Sequence, residues 1–107
     1  MSHAHHAIRL RGAWAVTADG QRFRHARPFG WPAALDPHER VWLVVVGCAE
    51  VALNGTQLVP RSATGERFEA DVTALLRPRN EILLTRDLAA PPLDVTLEVR
   101  GTNLAPA

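Results

Sequence analysis

The chain has 107 residues, of which 47% are hydrophobic and 21% are charged, and its formal net charge is +1. This length suits one domain with a single core, and the composition is that of a folded protein rather than a disordered one. The small net charge disfavours nucleic-acid binding, and no apolar run approaches the roughly 20 residues that span a membrane.

Cysteine usage and the first residues bear on the compartment. Cys48 is the only cysteine, so an internal disulfide is excluded, and a lone thiol suits a reducing environment. The N-terminal residues show no cationic stretch followed by an apolar one, which is the pattern of a secretory signal. We therefore expect a cytoplasmic protein.

Apolar and polar residues alternate with a period of two from the N-terminus, which predicts strands. Residues 8–11 alternate in this way, Gly12 interrupts the pattern, and it resumes over residues 14–16. The segment is therefore either two strands or one kinked strand. Asp19-Gly20 predicts a turn.

The middle of the chain continues the β pattern. Residues 21–27 predict a less regular strand, and the prolines and glycine of residues 28–39 predict an irregular loop. Residues 40–46 are apolar on both alternations, which is typical of a central strand covered on both faces. Because residues 47–49 leave room only for a tight reversal, we expect 41–46 and 50–53 to be antiparallel neighbours.

Two turns punctuate the second half. Asn54-Gly55 is the residue pair that favours a type I′ hairpin, since both positions need a positive φ. After a predicted strand over residues 68–72, Asp71 can accept a hydrogen bond from a free amide of a short helical turn, which Pro78 prevents from continuing.

Two more strands follow, over residues 81–85 and 93–99, and the second alternates so regularly that one of its faces is expected to be exposed. Pro91-Pro92 between them predicts a rigid turn. Seven or eight short strands separated by turns predict a sandwich or a barrel.

Four motifs carry a resemblance to a known family: Val41-Trp-Leu43, Val51-x-Leu-Asn-Gly55, Phe68-x-x-Asp-Val-Thr-x-Leu-Leu76 and Asn80-x-Ile82. In this order they resemble the sugar-binding domain of glycoside hydrolase family 2 and, more broadly, the galactose-binding-like jelly-roll modules. The resemblance implies an all-β antiparallel sandwich with one short helical turn near residues 72–76. We expect a polar N-terminal tail over residues 1–7 and a single domain over 8–107.

The resemblance does not imply hydrolase activity. The family's catalytic carboxylates lie on a separate barrel domain, which a chain of this length cannot contain, so we expect no enzyme. Four residues match family positions whose physical roles are a hairpin and a cap, and we interpret them as structural: Asn54, Gly55, Asp71 and Thr73.

Sugar recognition combines an aromatic face with planar hydrogen-bonding side chains in a shallow cleft. The sequence offers this set where an arginine-rich strand leads into a tryptophan-bearing loop: Arg24, His25, Arg27 and Trp31. The structural alternative is that Phe29 and Trp31 plug one end of the sandwich while the arginines form a solvated face. Trp14 and Trp42 are expected in the core.

The sequence predicts no metal site and no cofactor. His3, His5 and His6 are closely spaced, but such a terminal cluster without supporting residues is weak evidence for a built site. There is no compact group of oxygen ligands for calcium, no glycine-rich phosphate loop, and no nucleophile with an adjacent base.

These observations lead to two hypotheses. The first is a non-catalytic binding module of galactose-binding-like type that recognises carbohydrate. The alternative is a structural or protein-interaction domain, homo-oligomeric through a sheet face or an edge strand, with no small-molecule ligand. Neither hypothesis involves nucleic acid or a membrane.

Overall fold

The computed structural model describes residues 4–31, 35–47, 50–59, 62–64, 67–87 and 94–101. Within these ranges the chain forms ten strands and one 3₁₀ turn over Thr73–Leu75. The strands are β1 (Ala4–Arg9), β2 (Ala15–Asp19), β3 (Arg22–Gly30), β4 (Glu39–Val46), β5 (Glu50–Leu53), β6 (Thr56–Gln57), β7 (Ser62–Thr64), β8 (Arg67–Asp71), β9 (Arg79–Arg86) and β10 (Asp94–Gly101).

The strands form two five-stranded sheets. The first sheet has the order β1-β10-β4-β8-β7 and the second has the order β2-β3-β9-β5-β6. Every pairing is antiparallel. The predicted antiparallel β-sandwich is confirmed, and the arrangement is consistent with a jelly-roll-like fold. No helix among the described residues is long and apolar enough to cross a membrane.

The core lies between the two sheets and follows from the period-two pattern. On β4, Val41, Leu43 and Val45 are fully buried, and they face inward together with the alternate apolar residues of β10 and β8. The second sheet contributes Ile82 and Leu84 from β9 to the same cluster. Fully burying a side chain of this kind stabilises the fold by about 1.5–3 kcal/mol, so the inward positions dominate its stability.

The N-terminal segment is two strands in different sheets. β1 pairs with β10 from Ala4 onward, so residues of the predicted tail belong to the first sheet, and β2 pairs with β3 in the second. The chain crosses between the sheets at Gly12 and Ala13, which have φ values of 65° and 57°. Trp14 donates from Nε1 to the carbonyl of Leu10 at 3.3 Å and packs against the core, which holds this crossing in place.

The expected pairing of residues 41–46 with 50–53 is wrong. β4 lies in the centre of the first sheet, whereas β5 lies in the second sheet between β9 and β6. Gly47, with a φ of 81°, lies where the chain leaves β4, and Arg86 of β9 donates from Nε to its carbonyl at 2.6 Å. Both strands bury apolar residues, and an arch between facing sheets lets both do so across one core. Cys48 lies outside the described residues.

Proline does not end β3, contrary to the loop expected over residues 28–39. β3 continues to Gly30, and Pro28 is opposite Glu81 of β9. β2 ends its pairing at Ala15, opposite Ala26, so the edge of β3 beyond Ala26 has no neighbouring strand. A proline, which lacks an N–H donor, is tolerated at such an edge. Pro91 and Pro92 lie outside the described residues.

Candidate functional site

Two of the four sugar-ligand candidates, Arg24 and His25, are neighbours on β3, and their side chains lie on opposite faces of the second sheet. Arg24 is exposed on the outer face, where its Nε lies 3.0 Å from Oδ2 of Asp19. His25 points inward and is fully buried. Because successive side chains on a strand alternate between faces, these two residues are directed away from each other.

The other two candidates are also engaged separately. The guanidinium of Arg27 donates to the carbonyls of Gly12 at 2.9 Å, of Arg11 at 3.4 Å and of Pro28 at 3.1 Å, which clamps the crossing between β1 and β2. Trp31 is buried in the core, and its Nε1 has no hydrogen-bond partner among the described residues. The structure thus separates the four candidates into an exposed ion pair, a buried imidazole, a loop clamp and a buried indole.

The recognisable asparagines meet at one end of the sandwich, in a cluster we call the asparagine corner: Asn54, Asn80 and the backbone of Leu75 and Arg77. Asn54 and Gly55 have φ values of 52° and 82°, as a type I′ turn requires. The Nδ2 of Asn54 donates to the Leu75 carbonyl at 2.9 Å and to Oδ1 of Asn80 at 3.0 Å. The hairpin is thereby joined to the segment that enters β9.

Asn80 completes the corner from a buried position. Its Oδ1 also accepts from the Arg77 amide at 2.8 Å, and its Nδ2 donates to the Arg77 carbonyl at 2.7 Å. The Oδ1 of Asn54 accepts from the amide of Glu81 at 2.9 Å. The side-chain amides of Asn54 and Asn80 therefore form their hydrogen bonds within the chain, and the two asparagine motifs support each other. Few of their donors and acceptors remain for a ligand.

Asp71 and Thr73 form a second connection nearby. Oδ1 of Asp71 accepts from the amide of Thr73 at 3.0 Å and from its hydroxyl at 2.7 Å, and Oδ2 accepts from Nε of Arg40 at 2.8 Å. The Thr73 hydroxyl in turn accepts from the amide of Val41 at 2.8 Å. Burial raises the pKa of Asp71, but the hydrogen bonds from Arg40 and Thr73 outweigh it and the pKa is lowered.

Trp42 lies outside the core, contrary to expectation. It alternates with the buried residues Val41 and Leu43, so it points away from the second sheet, and it remains only partly buried. Its register partners are Glu98 on β10 and Asp71 on β8. β4 is therefore apolar on both faces for two different reasons. Its inner face packs in the core, and its outer face lies beneath charged side chains of the neighbouring strands.

Those neighbours form what we call the Trp42 face, on the outer side of β8, β4 and β10: Trp42, Arg67, Glu69, Glu98 and Arg100. Beneath its long side chains Val44 and Thr96 are only 4% and 8% exposed, although neither belongs to the core cluster. An outer strand face is covered here by charged side chains instead of by a third layer of structure. Long charged side chains cover apolar surface in this way while their heads stay in water.

Arg100 organises the Trp42 face. Its guanidinium carbon lies 4.9 Å from the centroid of the Trp42 ring, within the range of a cation–π contact. Its Nη2 donates to Oε1 of Glu98 at 2.7 Å and to Oε1 of Glu69 at 2.9 Å. The network continues from Glu69 Oε2 to Nε of Arg67 at 2.8 Å. The guanidinium and both carboxylates are thus held in fixed positions around one aromatic ring.

The protonation states follow from these contacts. The hydrogen bond from Arg67 lowers the pKa of Glu69, burial opposes it, and the contact with Arg100 lowers it further. Burial lowers the pKa of Arg100, but the hydrogen bonds that Arg100 donates to Glu98 and Glu69 outweigh it and raise the pKa. Glu69 and Arg100 are therefore both ionised at neutral pH. The side chains of Glu69, Glu98 and Arg100 each remain about a fifth exposed (19%, 21% and 22%).

Sequence reasoning missed this face for a specific reason. Glu69 and Arg100 are 31 positions apart, and they meet only because β8 and β10 both flank β4. The alternation of Glu98 and Arg100 with the apolar residues Leu97 and Val99 predicts an outer face of β10. It gave no information about which strand lay beside it.

Metal binding finds no site in the described ranges, which contain no group of three His, Cys, Asp or Glu side chains able to hold an ion. His3 and the side chains of His5 and His6 lie outside the described part of the chain, so their role stays a prediction. No protein-family model and no curated protein matches the chain. The likeness to the glycoside hydrolase family 2 sugar-binding domain therefore rests on the motifs quoted above.

Proposed function

We propose that the protein is a non-catalytic binding module that recognises carbohydrate on the Trp42 face. The observation that carries this proposal is the placement of one partly exposed indole among an ordered guanidinium and two ordered carboxylates. A sugar presents apolar C–H groups and adjacent hydroxyls. An aromatic surface contacts the former, and charged planar groups exchange hydrogen bonds with the latter.

Preorganisation supports this role. Arg100 is held by two carboxylates and the Trp42 ring, so its rotamer freedom is already reduced before a ligand arrives. Fixing a mobile side chain at an interface costs about 0.5–1.5 kcal/mol, and a prearranged face avoids much of this cost. The partial exposure of Glu69 and Glu98 leaves acceptor capacity available to hydroxyl groups.

Charge balance narrows the ligand class. The Trp42 face contains two arginines and two glutamates, which pair with each other. A charged ligand would have to compete with one of these pairs, whereas a neutral saccharide adds hydrogen bonds without displacing a charge. We therefore propose a neutral oligosaccharide rather than an acidic one.

The test is a calorimetric and tryptophan-fluorescence titration with neutral disaccharides and, separately, uronic-acid oligosaccharides at millimolar concentration. Binding of a neutral sugar that is lost in Trp42→Ala and weakened at least about tenfold in Glu69→Gln supports the proposal, since a lost hydrogen bond to a charged group costs roughly 1.5–3 kcal/mol. Asp19→Asn, which alters an ion pair on the other sheet, is the matched control and should bind normally. Absence of binding to every sugar, or undiminished binding by Trp42→Ala, contradicts the proposal.

A second candidate function, a protein-interaction domain, is favoured by a different observation. All five residues of β2 are exposed, and β2 lies at the end of the second sheet. An unprotected strand at a sheet edge is a template for pairing with another chain. This candidate and the sugar-binding proposal concern opposite sheets, so both can hold for one protein.

A further inference from the structure

The four described sheet edges differ in how well they are protected. β6 has two residues, β7 has three, and the register of β1 is irregular between Ala4 and His6. Short strands and bulges of this kind are devices that prevent edges from pairing with other chains. β2 has five residues, a regular register and no proline. It is the unprotected one among the four strands that end the two sheets.

The hydrogen-bond alternation shows which backbone groups β2 presents. The amide of Trp31 donates to the carbonyl of Pro78, so the odd-numbered residues of β3 bond to β9. The even-numbered residues of β3 therefore bond to their partners on β2, which are Ala15, Thr17 and Asp19. The N–H and C=O groups of Val16 and Ala18 consequently project from the free edge.

We propose that this edge binds a second copy of the chain, with the two β2 strands antiparallel about a two-fold axis at Thr17. In this register Val16 of each copy pairs with Ala18 of the other, so both outward-facing residues of both strands form hydrogen bonds. Registers centred on Val16 or Ala18 would pair only one such residue from each copy. The two second sheets become one continuous ten-stranded sheet.

Side chains and charges are compatible with this pairing. Val16 is 42% exposed, and the second copy's Ala18 would cover it on the core side. Asp19 lies opposite Ala15 of the second copy instead of opposite another acid, and it is already neutralised by Arg24 at 3.0 Å. The two Thr17 side chains become direct cross-strand neighbours, a favourable pair. No like charges are opposed at the edge.

The small area of the proposed β2–β2 interface indicates a weak dimer. Five residues from each copy bury well under the roughly 1,200 Å² of a standard stable interface. The geometry therefore points to a reversible dimer that forms at high protein concentration, and that is independent of any ligand on the Trp42 face.

Disulfide trapping tests the register directly. Directly opposed residues that do not exchange hydrogen bonds have Cα atoms about 4.5 Å apart, which lies within the range of about 4.4–6.8 Å that a disulfide spans. In a Cys48→Ser background, Thr17→Cys is expected to form a covalent dimer under mild oxidation at least about tenfold faster than Thr56→Cys on the β6 edge. Equal rates for the two variants would overturn the proposal.

Sedimentation of the untrapped protein gives an independent measurement. The wild type should show a concentration-dependent monomer–dimer equilibrium, and Val16→Lys should shift it to monomer, because a lysine at an edge opposes pairing. Gln57→Lys adds the same charge to the opposite edge of the same sheet and should leave the equilibrium unchanged; circular dichroism melting checks that both variants fold. A wild-type protein that stays monomeric at every concentration contradicts self-association. The same holds if the β2 edge pairs with a strand of a different protein while the chain alone stays monomeric. A dimer that Val16→Lys leaves intact also contradicts the proposal.

Discussion

The asparagine corner and the Trp42 face are both built from polar side chains on neighbouring strands, but they differ in where the hydrogen bonds go. In the corner, the side-chain amides of partly buried Asn54 and buried Asn80 bond mainly to backbone groups and to each other. On the face, charged side chains bond to other side chains and stay partly in water. The corner therefore joins parts of the fold to one another, whereas under our proposal the side chains of the face are available to a ligand.

The largest effect expected from this comparison is in the corner. Asn80→Ala removes a buried side chain and leaves the Arg77 amide and the Arg77 carbonyl without their partner. We expect the free energy of unfolding to fall by about 2–4 kcal/mol, because Asn80 itself is buried and each part-buried group that loses its partner costs up to roughly 1–3 kcal/mol. Urea denaturation measures this value. A loss below about 0.5 kcal/mol would show that the corner is not a structural centre.

A smaller effect concerns acid. The pKa values of Asp71 and Glu69 are both lowered in the folded protein, so in acid the unfolded chain binds more protons at these groups than the folded one. Their stabilisation is full above the ordinary carboxyl range near pH 4 and is lost as the pH falls through the lowered folded-state values. We expect the double variant Asp71→Asn, Glu69→Gln to lose stability at pH 7 and to show a flatter fall in Tm between pH 5 and pH 2. If the curves of Tm against pH for the wild type and the variant ran parallel, these two carboxylates would not be the source of the acid sensitivity.

The Trp42 face itself should contribute modestly to stability. Trp42→Ala removes the cation–π contact with Arg100 and part of the cover over Val44. We expect a loss of about 1 kcal/mol, because the indole lies outside the core cluster and remains partly exposed. Trp42→Phe, which keeps an aromatic ring, is the control and should lose less. A loss of 3 kcal/mol or more, about the cost of truncating a core aromatic, would mean that the face is structural and would weaken the contrast with the corner.

The smallest effect is expected at the β2 edge. Val16→Lys changes a 42% exposed residue that is not part of the core cluster. In dilute solution, where the protein is a monomer, we expect the free energy of unfolding to stay within about 0.5 kcal/mol of the wild type. Thermal melting at low micromolar concentration checks this. A larger loss would show that Val16 contributes to the fold of the monomer.

The sequence was sufficient for the parts of the fold that depend on neighbours along the chain. Period-two alternation predicted the strands, and Asn54-Gly55 predicted a turn whose two positive φ values the structure contains. It was insufficient for the connection after β4, because a short glycine-bearing link serves equally well as a hairpin within one sheet or as an arch between two. The sequence was also insufficient to predict the position of Trp42. An apolar residue on a strand gives the same sequence pattern whether the core or a layer of charged side chains covers it.

The amino-acid sequence by itself determined the all-β fold class of this protein. Apolar–polar alternation and turn residues act over a few positions, through local sterics and side-chain polarity. The tertiary structure alone decided which strands became neighbours. That choice placed Glu69 against Arg100 over the Trp42 ring and left β2 at an open edge. Both proposals depend on contacts between residues distant in the chain. Such contacts arise from the order of the strands within each sheet, and no local sequence pattern encodes that order.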